Sequence, residues 1–294
     1  MSRLAVIIVN FNAGPALDAT LASLPAGLTG VDWEAIVVDN ASSDGSEQAA
    51  VRRGAPIRLL PLARNVGFAA GVNAGAAVTD AAELLLLNPD CQLEPGAVAA
   101  LQGTLAAHPR TGVVGPRILD PDGTLQESAR GDPALLTGVF GRTGVLARWL
   151  PWLPVVRRNL ASAGALRQGA ADIAVDWVSG ACMLVRREAF AGVAGFDARY
   201  FLYWEDADFC RRLRHAGWET RYVPGATVVH AVGQSSRTAR GLALRAFHES
   251  AYRYYATHVV PQRWHPARPL ARVLLGARYA AKRIRAWMEH PDRS

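Results

Sequence analysis

The chain holds almost no lysine. Of its 32 basic residues all but Lys282 are arginine. A P-loop NTPase needs a lysine on the phosphates, a protein kinase needs one on a strand, and Schiff-base enzymes need one as nucleophile. A single lysine in a charged tail argues against all three. Cysteine is scarce too. Cys91, Cys182 and Cys210 form an odd set without metal-ligand spacing, which fits a reducing, cytosolic setting. No apolar run approaches 18 residues, so no simple transmembrane helix is predicted. Met1-Ser2-Arg3 leads directly into a strand-like segment, so no signal peptide is expected.

What is present is ordinary globular material. The 294 residues are 50% hydrophobic and 19% charged, enough for one large α/β domain or two small ones. The basic excess is local. Residues 237–294 carry 12 Lys and Arg against 3 Asp and Glu, whereas the rest carries 20 against 22. That distribution points to an anionic surface near the tail and not to a nucleic-acid partner.

Apolar runs at 4–9, 35–38, 57–60 and 83–87 read as strands, the continuous ones as strands covered on both faces. Helix-like stretches near 15–24, 44–53, 68–78 and 94–107 lie between them. The alternation predicts an α/β fold with a mostly parallel sheet and helices on both faces. Polar residues stand where such sheets bind ligands, at the strand ends: Asn10, Asn12, Asp39, Asn40, Arg64, Asn65, Asn88 and Asp90. Residues 131–170 are less regular and read as an insertion or flap. Strand-like order returns over 175–185, and a helix is expected from about 205 to 216. The tail reads as two helices broken around Pro261–Pro269.

Several positions carry candidate chemistry, each with a plainer alternative. Asp39 can accept the N3–H of uracil or thymine, or belong to a turn and helix cap with Ser42, Ser43 and Asp44. Asp90, in Asn88-Pro89-Asp90, can hold Mg²⁺ or Mn²⁺ against a diphosphate, or simply close a turn. The segment from Arg64 to Asn73 offers a guanidinium and close backbone approach, or a small-residue helix packed on the sheet. Asp206, Phe209, Cys210 and Leu213 share one helical face, which directs Asp206 toward the protein. Asp208 is expected to pair with Arg212 at i,i+4, a pair of small worth. His230, ending an apolar stretch, is a candidate third metal ligand or a surface imidazole.

Taken in order, Val9-Asn10-Phe11-Asn12, Val38-Asp39-Asn40-Ala41-Ser42, Arg64-Asn65-Val66-Gly67-Phe68, Leu87-Asn88-Pro89-Asp90, Val178-Ser179-Gly180-Ala181, Gly195-Phe196-Asp197 and Tyr203-Trp204-Glu205-Asp206-Ala207-Asp208 resemble the inverting family 2 glycosyltransferases of GT-A fold. Within that family the resemblance is to bacterial rhamnosyltransferases that use dTDP-L-rhamnose. It spans roughly residues 3–235. It implies a transferase domain over 1–236, which leaves the basic residues 237–294 as a helical extension. It places Phe11 and Asp39 at the base, with Arg64 and Asn88 near the nucleotide. Asp90 matches the metal-binding aspartate of an Asp-x-Asp motif whose first acid is Asn88 here, His230 joins the metal, and Asp206 is the catalytic base. A Mg²⁺ or Mn²⁺ cofactor and a polyprenyl-diphosphate-linked acceptor of cell-envelope glycan assembly follow from the same resemblance. A UDP-sugar donor, a sugar nucleotidyltransferase and a non-catalytic nucleotide-sugar-binding protein are the alternatives.

In the tail, Leu270, Val273, Leu274, Ala277, Ala281, Ile284 and Met288 fall on one helical stripe with arginines mostly off it. That pattern suits anionic lipid headgroups at the inner face of the membrane, or packing on the domain or on a second copy of the chain.

Overall fold

The computed structural model describes residues 3–126, 128–130, 171–231 and 240–289. The expected insertion at 131–170 and the boundary at 236/237 lie outside the described residues. The elements run β1 (Leu4–Asn10), α1 (Pro15–Gly27), β2 (Trp33–Asp39), α2 (Gln48–Arg53), β3 (Ile57–Pro61), α3 (Phe68–Ala77), β4 (Glu83–Leu87), β5 (Cys91–Leu93), α4 (Ala97–Ala107) and β6 (Thr111–Leu119). Next come β7 (Leu125–Gln126), β8 (Ala129–Arg130), β9 (Ile173–Val175), β10 (Trp177–Val178), β11 (Cys182–Arg186), α5 (Arg187–Gly192), α6 (Glu205–His215) and β12 (Glu219–His230). The chain ends in α7 (Arg240–Tyr254), a π-helical turn (Tyr255–Val259) and α8 (Ala267–Glu289).

The main sheet runs in the order β3-β2-β1-β4-β11-β6-β12-β5, with β7 on β6 and β9 on β12, while β8 and β10 pair in a separate two-stranded sheet. The β3-β2-β1-β4 half is parallel, as its alternation with helices predicts. The other half is mixed: β11 runs antiparallel to β4 and β6, β12 is parallel to β6, and β5 is antiparallel to β12. Strands buried on both faces explain the unbroken apolar runs. In β1, Leu4, Val6 and Ile8 enter one core with Leu17, Leu21, Val98 and Leu101. Ala5, Ile7 and Val9 enter the other with Val72, Phe196, Phe209 and Leu213.

Helix α3 lies close on the sheet through small residues. A Cβ at Gly71 would come within 2.8 Å of Val9, and one at Gly75 within 2.7 Å of Ile7. Gly195 is needed for two reasons: its φ is +69°, and a Cβ there would sit 2.5 Å from Asn73 Oδ1. That Asn73 amide accepts from the Phe196 N–H at 2.9 Å and donates to the Phe196 carbonyl at 2.8 Å. The Gly195-Phe196-Asp197 motif is thus a clasp between α3 and the approach to α6.

Candidate active site

The strand ends of β1 and β2 build one wall. Asn10 and Asp39 are register partners, and Asn10 Nδ2 donates to Asp39 Oδ1 at 2.8 Å. The Ser42 hydroxyl donates to the same oxygen at 2.6 Å, and the Ser42 N–H to Oδ2 at 3.0 Å. Asp39 is buried, yet a carboxylate has about four acceptor positions, so Oδ2 retains capacity. The helix-cap alternative for this segment does not hold: α2 begins at Gln48, and Asp44 instead accepts from Ser46 and from the Gly14 N–H. Phe11 is half-buried and Arg64 exposed. Asn40 ties the Arg64 loop to this wall, donating to the Gly67 carbonyl and accepting from the Val66 N–H.

A second corner forms where β5 meets β12. Their pairing sets His230 opposite Cys91, and the Ala231 N–H donates to the Asp90 carbonyl at 2.9 Å. His230 Nε2 consequently lies 3.2 Å from Asp90 Oδ1. The other ring nitrogen, Nδ1, meets Gln126 Oε1 at 3.0 Å, and Gln126 Nε2 donates to Asp120 and to the His230 carbonyl. Asp90, Cys91 and His230 each present a ligand atom within 4.8 Å of the others. Cys91 is the poor member. Burial, then the Asp90 charge, pushes its thiol pKa well up, and the protonated sulfur faces the Ala181 carbonyl. Gln126 escaped the sequence reading because an isolated glutamine in a two-residue strand has no pattern.

The third corner is the first turn of α6. Asp206 is half-buried and accepts the Gly180 N–H at 3.0 Å and the Ala207 N–H at 2.8 Å. The Ala181 carbonyl accepts the Asn88 N–H at 2.8 Å. The Gly180–Ala181 turn therefore joins the Asp206 corner to the Asn88-Pro89-Asp90 turn. Glu205 is buried, and its Oε2 has no hydrogen-bond partner among the described residues. Burial, then the Asp206 charge, raises its carboxyl pKa well above the usual range.

Asp208 makes the expected pair and one more. Arg212 does bond it, at 2.7 Å, but Asp208 is 1% exposed and also meets His258 Nε2 at 2.6 Å. The second partner lies fifty residues away, beyond any helix-spacing argument. In the tail, the predicted apolar stripe of α8 is not the face that packs. Ala271 and Leu275 are buried, and Tyr279 meets His248 of α7, while Leu270, Val273, Ile284 and Met288 stay 60, 66, 57 and 62% exposed. Among the described residues, no helix is long and apolar enough to cross a membrane.

A mixed α/β sheet flanked by helices, whose strand ends gather an acid–imidazole pair and a helix-borne carboxylate, is the architecture of a GT-A glycosyltransferase. Residues 5–193 match the family model for glycosyl transferase family 2, and residues 139–287 match that for glycosyl transferase family group 2. The chain belongs to glycosyltransferase family 2 and is a hexosyltransferase. It is 39% identical over 267 residues to the N-acetylglucosaminyl-diphospho-decaprenol L-rhamnosyltransferase of Mycobacterium tuberculosis, covering 86% of this chain and 84% of that one. It is 42% identical over 85 residues to the rhamnosyltransferase WbbL of Escherichia coli, covering 29% of this chain and 32% of that one. In fold it is similar to the mannosyltransferase PcManGT of Pyrobaculum calidifontis, solved with GDP-Man and Mn²⁺, at TM-score 0.56 and 17% identity over 99% of this chain and 81% of that one. It is likewise similar to GalNAc-T7, solved with UDP, GalNAc and Mn²⁺, at TM-score 0.58 and 17% identity over 90% of this chain and 52% of that one.

Proposed function

We propose that the chain is an inverting rhamnosyltransferase that moves L-rhamnose from dTDP-L-rhamnose to a hydroxyl of a polyprenyl-diphosphate-linked glycan. The observation that carries this reading is the 39% identity, over most of both chains, to a transferase named for a diphospho-decaprenol acceptor and an L-rhamnosyl group. Residues 1–236 are the transferase unit in this reading, and 237–294 the extension that brings it to the cytoplasmic face of the membrane. The exposed stripe of α8, flanked by Arg268, Arg272, Lys282 and Arg283, is the membrane-facing surface.

Asp39 accepts the N3–H of the base on its free carboxylate capacity, with Phe11 beside the base and Arg64 and Asn88 at the nucleotide. Asp90 and His230 suit a divalent ion. A hard carboxylate oxygen and an imidazole nitrogen face each other at 3.2 Å, and Gln126 engages the second ring nitrogen, leaving Nε2 toward Asp90. When bound there, Mg²⁺ or Mn²⁺ supplies positive charge to balance the departing diphosphate. Because Asn88 is neutral, this pair carries one carboxylate where the usual motif carries two. Asp206 takes the proton of the acceptor hydroxyl while that oxygen attacks the anomeric carbon. The new C–O bond forms as the bond to the diphosphate oxygen breaks on the opposite side, so the centre inverts. The two backbone N–H groups on Asp206 fix its orientation toward that hydroxyl.

The second reading, a UDP-sugar donor, rests on the same Asp39, since uracil and thymine present the same N3–H. A thermal-shift panel of dTDP-, UDP- and GDP-sugars, with and without Mn²⁺, tests both. The expected result is the largest stabilisation by the dTDP-sugar, dependent on Mn²⁺ and lost in Asp90→Asn. Larger stabilisation by a UDP-sugar favours the second reading, and by a GDP-sugar overturns both. An unchanged response in Asp90→Asn removes that residue from the metal site.

A further inference from the structure

Immediately before α6 the backbone makes an uncommon move. Tyr203 and Trp204 are consecutive and left-handed, with φ of 68° and 70°, and neither is glycine. An L side chain is sterically disfavoured there, and such a pair persists only where its surroundings hold it. Two residues further on stands Asp206.

The surroundings come from the C-terminal segment. Phe247 of α7 packs against both strained residues, 5.8 Å from the Tyr203 ring and 5.9 Å from the Trp204 ring. Tyr254 also meets Trp204, at 5.4 Å. The Ser250 hydroxyl donates to the Leu202 carbonyl at 3.0 Å. One π-helical turn beyond α7, His258 reaches Asp208 in the first turn of α6. Residues 247, 250, 254 and 258 follow one another at spacings of three and four, so a single helix face meets the whole segment from Leu202 to Asp208. Immediately before this segment the Phe68 N–H donates to the Phe201 carbonyl at 2.8 Å.

We propose that this face of α7 positions the general base. Phe247, Ser250, Tyr254 and His258 are positioning residues: they clamp the Tyr203–Trp204 turn and so set the direction in which α6 presents Asp206. The C-terminal segment then belongs to the catalytic machinery as well as to membrane attachment. The proposal rests on Asp206 as the base, so Asp206→Asn is measured alongside.

The test is steady-state transfer by full-length Phe247→Ala and Tyr254→Ala, with dTDP affinity and melting temperature recorded for each variant. The expected result is a fall in kcat of about ten- to a hundredfold, the scale of a misplaced catalytic group, with dTDP affinity and donor KM unchanged. Phe247→Tyr and Tyr254→Phe, which keep a ring in place, should restore kcat. If an alanine variant does not fold, Phe247→Leu and Ser250→Ala carry the same criterion. Undiminished kcat in folded variants beside an inactive Asp206→Asn overturns the positioning role alone. A parallel loss of dTDP affinity and kcat also overturns it, since that is general damage to the fold. Wild-type turnover in Asp206→Asn removes the base assignment itself.

Discussion

Three carboxylates share the first turn of α6, and each meets a different environment. Asp206 is half-buried and held by two backbone N–H groups. Asp208 is buried, with Arg212 on one oxygen and His258 on the other, while Glu205 is buried with one oxygen unpartnered among the described residues. Asp206→Asn should therefore lower turnover by about 10²–10⁴-fold, the typical worth of acid–base catalysis, without changing the melting temperature much. Asp208→Asn should act on stability. It leaves Arg212 and His258 without their shared anion, and breaking a buried pair costs about 3 kcal/mol, which urea unfolding would read directly. Equal stability of Asp208→Asn and wild type would mean that the buried network contributes nothing. Glu205 gives a pH prediction. Its folded pKa lies above its unfolded value, so the folded state holds more protons between the two, and stability falls as pH rises through that window. Glu205→Gln should raise the melting temperature at neutral pH, and the gain should shrink as pH falls toward the ordinary glutamate value. A gain independent of pH would contradict this origin. The helical face of Asp206, Phe209, Cys210 and Leu213 was legible at 3.6-residue spacing. The environment of Asp208 was not, because His258 comes from another helix.

At the scale of elements, what matters is how neighbours are clasped. Gly195→Ala places a methyl on Asn73 and a side chain at positive φ, and should cost about 2 kcal/mol or more. Gly103 offers the contrast: it is exposed in α4 with open space at its Cβ. Gly103→Ala should stabilise by about 0.5–1 kcal/mol through helix propensity alone. Denaturant midpoints of the two variants, moving in opposite directions, would check both. Helix α8 makes a third case. Its stripe was visible as a periodicity, but which face would pack was not, because α7 takes the neighbouring face through Ala271, Leu275 and Tyr279. Val273→Asp with Ile284→Asp should abolish flotation with anionic liposomes, and high salt should weaken flotation of the wild type. Flotation unchanged by either would point to another surface, and a dimer dissociated by the two substitutions would assign the stripe to a second copy of the chain.

For the molecule as a whole, the strand–helix alternation of the first 107 residues was readable because doubly buried strands need continuous apolar runs. Residues 15–27, 68–77 and 97–107 form helices where the pattern put them. The mixed half of the sheet was less legible for a physical reason. An apolar run such as 182–185 shows that a strand is covered on both faces, but nothing in it states which way its neighbours run. The same two-faced burial governs the thiols. Cys91 and Cys182 lie in the core beneath α1 and α4, and Cys210, on α6, faces the core on the other side of the sheet. None is exposed, and burial lifts each thiol pKa, that of Cys210 to about 12. An alkylating reagent can reach them only through an opening of the fold, so the chain carries a native stopwatch on each side of its sheet. Under low denaturant, mass-resolved labelling should advance at one rate on all three if the molecule opens as a unit. Faster labelling of Cys210 alone would time the detachment of α6, and of the proposed base Asp206 with it, while the sheet stays closed.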